Sequence, residues 1–227
     1  LLVDTSGSRA LGFERQGQDL AALMDALPDD LRVRVLYFDQ EILDGYAGPA
    51  SGFGAAALDK MKSRGALGAS DLAHALDVAK ANKWMGSRLL IVSDGIFTAG
   101  ETESAGLVER LTAMPNLKRV DALAVGGIQD PDLLRALVTA LPADGVVMPG
   151  ETAASDVVGR LGRSAASGVA VRVPGAGWVW PETLDGVQPG DEVLIYADLD
   201  AGAPMTVQLT GATVRQQPVT TPGERHL

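Results

Sequence analysis

Cysteine is absent from the 227 residues, and with it go disulfides, thiolate metal sites and thiol nucleophiles. That absence does not fix the compartment. Histidine is nearly absent too: only His74 and His226 occur. There is no G-x-S-x-G elbow and no G-x-x-x-x-G-K-[ST] loop, so a Ser-His-Asp hydrolase or a P-loop enzyme has little to work with. Basic clusters are missing as well. The 19 Lys and Arg face 29 Asp and Glu, for a net charge of −10, and a field of that sign argues against a nucleic-acid partner. No apolar stretch approaches the ~20 residues that a membrane-spanning helix needs. What is present is 46% hydrophobic and 21% charged, with 27 Gly and 12 Pro. This is the profile of a folded, turn-rich globular chain, long enough for one large domain or two small ones. It starts without Met inside a strand pattern and ends in the polar PGERHL, as an excerpt of a longer protein does.

Up to about residue 168, apolar strand-like runs alternate with amphipathic helical stretches. Strands are expected at 1–3, 32–39, 88–94, 119–126 and within GVVMPG, with 41–46 as a hairpin partner. Helices are expected at 14–27, near 55–63, at 70–84, 101–114 and 131–141, and over 151–166. Strands apolar throughout and separated by helices indicate a mainly parallel sheet covered on both faces, a doubly wound α/β domain over 1–168. The texture then changes. Residues 169–227 have no helical periodicity and read as a small all-β, half-sandwich module, with strands at 169–173, 177–180, 191–198, 204–210 and 212–217.

The chemistry concentrates where strands end. The first strand stops in Asp4-Thr5-Ser6-Gly7-Ser8, and the run RLLIVSD stops in Asp94-Gly95. In an open parallel sheet, ligands bind beyond the carboxyl ends of the strands, where strand order reverses. Between these motifs Gly68-Ala69-Ser70 leads into a helix, with the Ser70 hydroxyl at the junction. Asp4, Ser6, Ser8, Ser70 and Asp94 offer only oxygen, the donor set of Mg²⁺ or Mn²⁺. Two carboxylates neutralise a divalent charge, and hydroxyls fill further positions without adding charge.

In order and spacing these motifs resemble the von Willebrand factor A (vWA) domain and its metal-ion-dependent adhesion site (MIDAS). The family pattern is D-x-S-x-S after the first strand, a Thr in G-x-T-[DN]-x-x-x-A-L, and Asp-Gly after the fourth strand. Here the first element is complete in Asp4, Ser6 and Ser8, and the third is Asp94-Gly95. The second runs from Gly68 to Ala75-Leu76 with Ser70 in place of Thr. FDQ at 38–40 also looks like the family. The resemblance covers roughly 1–168. It implies a Rossmann-like fold and a metal held directly by Ser6 and Ser8. Asp4 and Asp94 would act directly or through water, and Ser70 in a ligand-dependent way. It further implies a partner's Asp or Glu carboxylate completing the shell, and adhesion rather than catalysis. With the tail GWVWPETLDGVQPGDEVLIYADL, the chain also resembles bacterial proteins that pair a vWA domain with an N-terminal vault/inter-alpha-trypsin (VIT) domain. That likeness implies a VIT domain upstream against which the β module packs, and favours an extracytoplasmic or cell-surface location.

Two other readings stay open. One is a Mg²⁺-dependent phosphoryl-transfer or hydrolytic enzyme using Asp4, which would want a second acidic residue at position 6 or a Lys clamp. Position 6 is Ser, and the nearby bases are Arg9 and Arg64. The other is a scaffold with a vestigial site. Elsewhere the expectations are structural. Ser70 and Asp130 read as helix caps, Glu101 and Glu103 as helix starters, and Asp39 and Glu41 as solvated turn residues. His74 reads as a surface residue, and Trp178 and Trp180 as a pair facing one side of a strand, buried against a neighbour. Asp4 itself is expected at a solvent-facing rim.

Overall fold

The computed structural model describes residues 1–83, 86–200 and 202–211. In its first unit, Leu1–Ala165, the buried strands turn alternate residues toward opposite helical layers, as the strand period of two requires. The strands are β1 (Leu2–Asp4), β2 (Arg32–Phe38), β3 (Ile42–Pro49), β4 (Arg88–Ser93), β5 (Arg119–Ala124) and β6 (Val147–Pro149). The helices are α1 (Phe13–Ala26), α2 (Ala55–Arg64), α3 (Leu72–Ala81), α4 (Ser104–Thr112), α5 (Pro131–Val138) and α6 (Ala154–Leu161). Leu2, Leu89, Ile91, Val120 and Ala122 pack on α3, α4 and α5 through Leu76, Leu107 and Leu134. Val3, Leu90, Val92 and Leu123 pack on α1, α2 and α6 through Leu23, Met61 and Val157.

The sheet order is β3-β2-β1-β4-β5-β6. All neighbours are parallel except the β2–β3 hairpin. Strand order therefore reverses between β1 and β4, which puts the switch point at the ends of the two strands carrying Asp4 and Asp94. No helix among the described residues is long and apolar enough to cross a membrane.

The hairpin register slips by one residue at Val35/Leu36. Gly45 lies opposite that bulge, with the Tyr37 ring across it where a Cβ would stand. The Tyr37 hydroxyl donates to Ala57 O at 3.0 Å, and burial pushes this phenol up to about 12. Gly45→Ala forces that ring out of place. The expected cost is about 1–3 kcal/mol of stability, read from denaturant unfolding.

Helix starts differ from the sequence expectation in an informative way. Helix α3 begins at Leu72, and its cap is Asp71, which accepts His74 N at 2.8 Å. Ser70 does not cap it, so its hydroxyl is free for another use. The expected end of this helix, residue 84, lies outside the described residues. Asp130 does cap α5, accepting Leu133 N. Helix α4 starts at Ser104, after Glu101 and Glu103. His74 is exposed.

The second unit begins at Ala166. It holds β7 (Val169–Arg172), β8 (Val179–Trp180), β9 (Thr183–Leu184), β10 (Tyr196–Ala197) and β11 (Gln208–Leu209). They form two antiparallel sheets, β11-β7-β9 and β10-β8. The 191–198 expectation shrinks to β10, because its partner β8 is two residues long and is followed by Pro181, which has no N–H to donate. Trp178 and Trp180 are 54% and 62% exposed, and only Trp180 lies in a strand. The expected strand at 212–217 and His226 lie outside the described residues.

Candidate metal site

Strand parity assembles the centre. Asp4 follows Leu2 on the α3–α5 side of the sheet, and Ser93 follows Leu89 and Ile91 on that same side. Val3 pairs with Val92, so one residue further Asp4 and Ser93 stand abreast. Ser70, just before α3, meets them from the covering layer. The Ser70 and Ser93 hydroxyls both donate to Asp4 Oδ2, at 2.9 and 2.7 Å, while Ser6 N donates to Oδ1 at 2.8 Å.

From there the contacts close into a ring. Ser93 Oγ lies 3.5 Å from Asp94 Oδ1 and accepts Gly95 N. Asp94 Oδ2 takes the guanidinium of Arg9, and Arg9 Nε donates to Ser8 Oγ at 3.3 Å. Ser8 Oγ is 3.1 Å from Ser6 Oγ, and Ser6 N leads back to Asp4. Backbone bonds hold the contributing loops together. Gly7 N donates to Gly68 O, Leu67 N to Thr5 O, and Thr98 N and Ala99 N to Ser70 O. All five sequence candidates are thus near one another, but Asp94 reaches Asp4 only through Ser93. Ser8 is exposed and marks the solvent side, whereas Ser6, Ser70 and Asp94 are buried.

Asp4 departs from expectation. It is not at an open rim but 0% exposed, because β1 is flanked on both sides and the loops close over its end. Its side-chain partners are all neutral, and no basic group among the described residues comes within ion-pair distance of it. A carboxylate in that position lacks a counter-charge, and burying one unpaired costs several kcal/mol. A divalent cation would supply the missing charge. The donor chemistry fits the same answer: two carboxylates and three serine hydroxyls, all hard oxygen. Among the described residues no three of His, Cys, Asp and Glu stand together, so any metal held here depends on the hydroxyls.

Asp39 also corrects the sequence reading. It is buried at the end of β2 and forms an ion pair with Arg64, whose guanidinium also donates to Glu41 O and Thr5 Oγ1. The strand-end rule that singled out Asp4 and Asp94 also singles out Asp39. Ser93 was missed although it adjoins Asp94, since a serine inside an apolar strand gives no local signal of its bond to Asp4. Ser93→Ala strips a charge-assisted hydrogen bond from Asp4. The expected loss is about 1.5–3 kcal/mol of stability, measured by urea titration. A separate cavity of about 700 Å³ opens at the amino ends of the strands, among Leu1, Leu36, Leu89 and Leu161. It lies at the far end of the sheet from the ring; its lining joins these leucines to Arg32, Arg34, Arg88 and a single carboxylate, Asp121, which is itself paired with Arg88 and Arg119.

With this geometry in place, solved structures supply the comparison. A von Willebrand factor type A protein from Catenulispora acidiphila superposes with a TM-score of 0.54 at 22% identity, over 87% of this chain and 52% of that one. BatB from Bacteroides thetaiotaomicron gives 0.54 at 14% identity, over 70% and 94%. The SpRpn10 VWA domain gives 0.50 at 15%, over 69% and 90%. The fold is that of vWA domains. This chain spans about half the length of the Catenulispora protein. No family model matches the sequence, and no curated protein matches it. Within the vWA fold, the ring occupies the switch point at the top of the sheet.

Proposed function

We propose that the ring is a MIDAS-type site holding one Mg²⁺ or Mn²⁺, and that the chain is a metal-dependent protein-binding module. The observation that carries this reading is Asp4: a fully buried carboxylate at the switch point, ringed by hydroxyls and without a basic partner. Ser6 and Ser8 would bind the cation directly, Asp4 and Asp94 directly or through water, and Ser70 in a ligand-dependent way. The bound cation supplies a Lewis-acidic position for a partner's Asp or Glu carboxylate. The resemblance to VIT-bearing proteins extends the proposal to an upstream VIT domain as a neighbour, and to an extracytoplasmic setting.

Two observations weigh against the phosphoryl-transfer alternative. Arg64 is committed to Asp39, and position 6 carries Ser where such an enzyme wants a second carboxylate. The test is calorimetric titration of Mg²⁺ and Mn²⁺ into the protein and into Asp94→Asn, followed by a glutamate-bearing peptide with and without metal. The expectation is saturable one-site binding, at least tenfold weaker in Asp94→Asn, and peptide binding only with metal. Equal affinities in the two proteins would remove Asp94 from the site.

A further inference from the structure

Arg9 immediately follows the last serine of DTSGS and would be expected to project into solvent. It does the opposite. The 3₁₀ turn Gly7–Arg9 swings the side chain inward until it is 5% exposed. There the guanidinium uses all its nitrogens: Nη2 on Asp94 Oδ2, Nη1 on Val125 O, and Nε on Ser8 Oγ at 3.3 Å. The far wall is shaped to it. Gly126 has φ +103, and a Cβ there would strike the guanidinium. Two of the five candidate metal donors, Ser8 and Asp94, are therefore already engaged by a positive charge.

We infer that Arg9 is a tethered cation competing with the divalent ion for Asp94 and Ser8, so that metal binding here is an exchange and Arg9 sets its affinity. This rests on the metal-site reading above. The charges make the two occupants alternatives. Two carboxylates with one guanidinium leave the ring one negative charge, whereas a divalent ion alone balances it. Both together would leave an excess positive charge in a buried space, where like charges repel strongly. Arg9 cannot yield by losing a proton, since its guanidinium stays charged at any working pH. It can yield only by turning out past the exposed Ser8. Without metal, the same pair keeps Asp94 from being buried uncompensated. Ser70 and Asp4 are untouched by Arg9, so they remain poised for the ion in either state.

Arg9→Gln and Arg9→Lys test the exchange. Gln removes the charge; Lys keeps it but loses the fork that spans Asp94, Val125 and Ser8 together. Mg²⁺ and Mn²⁺ are titrated calorimetrically into the full chain and both variants, with circular dichroism as the check on folding. The Arg9 Nε–H resonance, assigned by its loss in Arg9→Gln, is followed in the unsubstituted protein as Mg²⁺ is added. The expected result is an at least tenfold lower Kd in Arg9→Gln, an intermediate Kd in Arg9→Lys, and a shift of the Nε–H signal that saturates with metal. If Arg9→Gln does not fold, Arg9→Lys decides, and an unchanged Kd there overturns the proposal. Metal binding in the unsubstituted protein with no tightening in a folded Arg9→Gln overturns the exchange and leaves the metal site standing. A resonance unmoved at saturating Mg²⁺ does the same. Absence of binding in all three proteins overturns both.

Discussion

Asp4→Ala is expected to abolish saturable divalent binding and to make the protein less stable at the same time. The first effect follows from charge, because Asp4 is one of two carboxylates in the ring and the one without a basic partner. The second follows from hydrogen bonds. Ser6 N, Ser70 Oγ and Ser93 Oγ all donate to Asp4 and are buried with it, and each buried donor left unmatched costs about 1–3 kcal/mol. Removing a buried, unpaired negative charge offsets part of that. The net expectation is a loss of about 2 kcal/mol without metal, growing with added Mg²⁺ because only the unsubstituted protein gains from binding. Asp4→Asn separates the two effects. Its amide oxygen still accepts from a serine, so stability falls less, while metal binding is still lost. Thermal unfolding with and without Mg²⁺ checks both variants. Equal metal-induced stabilisation in Asp4→Asn and the unsubstituted protein would place the cation elsewhere.

Asp121→Ala produces the larger loss of stability and leaves the metal site alone. Asp121 sits inside β5 and is almost fully buried. It accepts Arg119 Nε and Nη2 at 3.0 and 2.7 Å, Arg88 Nη2 at 2.9 Å and Val146 N at 3.0 Å. Arg119 is itself buried and reaches on to Arg163 O. Truncating Asp121 strands that guanidinium and frees the amide that ties the approach to β6. Breaking a buried pair on one side costs about 3–5 kcal/mol. At about 2–4 °C per kcal/mol for a chain of this size, the midpoint falls by roughly 10 °C. Divalent affinity measured below that midpoint stays at the unsubstituted value. A change smaller than about 1 kcal/mol would mean that Arg119 finds another partner.

Much of the first unit was legible because its signals are local. Continuous apolar strands flanked by helices at 3.6-residue spacing specify a covered parallel sheet, and Asp-rich strand ends mark its top edge. The motifs DTSGS, GAS and DG and their resemblance to the vWA pattern singled out Asp4, Ser6, Ser8, Ser70 and Asp94, which the fold sets near one another. Other features were not legible because distant contacts set them. Arg9 turns inward for a carbonyl at Val125 and a carboxylate at Asp94, both more than 80 residues away in sequence. Asp39 is buried because Arg64 arrives from the end of α2. Ser70 resembles a cap until Asp71 takes that role one residue later. In the second unit, alternation along DEVLIYAD suggested a long strand, but a ladder is only as long as its partner, and β8 offers two residues.

The most direct test of the central claim is an electron paramagnetic resonance titration of Mn²⁺ into the protein and into Asp4→Asn, with Mg²⁺ as competitor. One bound Mn²⁺ per chain, displaced by Mg²⁺ and lost in Asp4→Asn, is the predicted result. No bound Mn²⁺ in the folded protein, or equal binding in the two proteins, would contradict it.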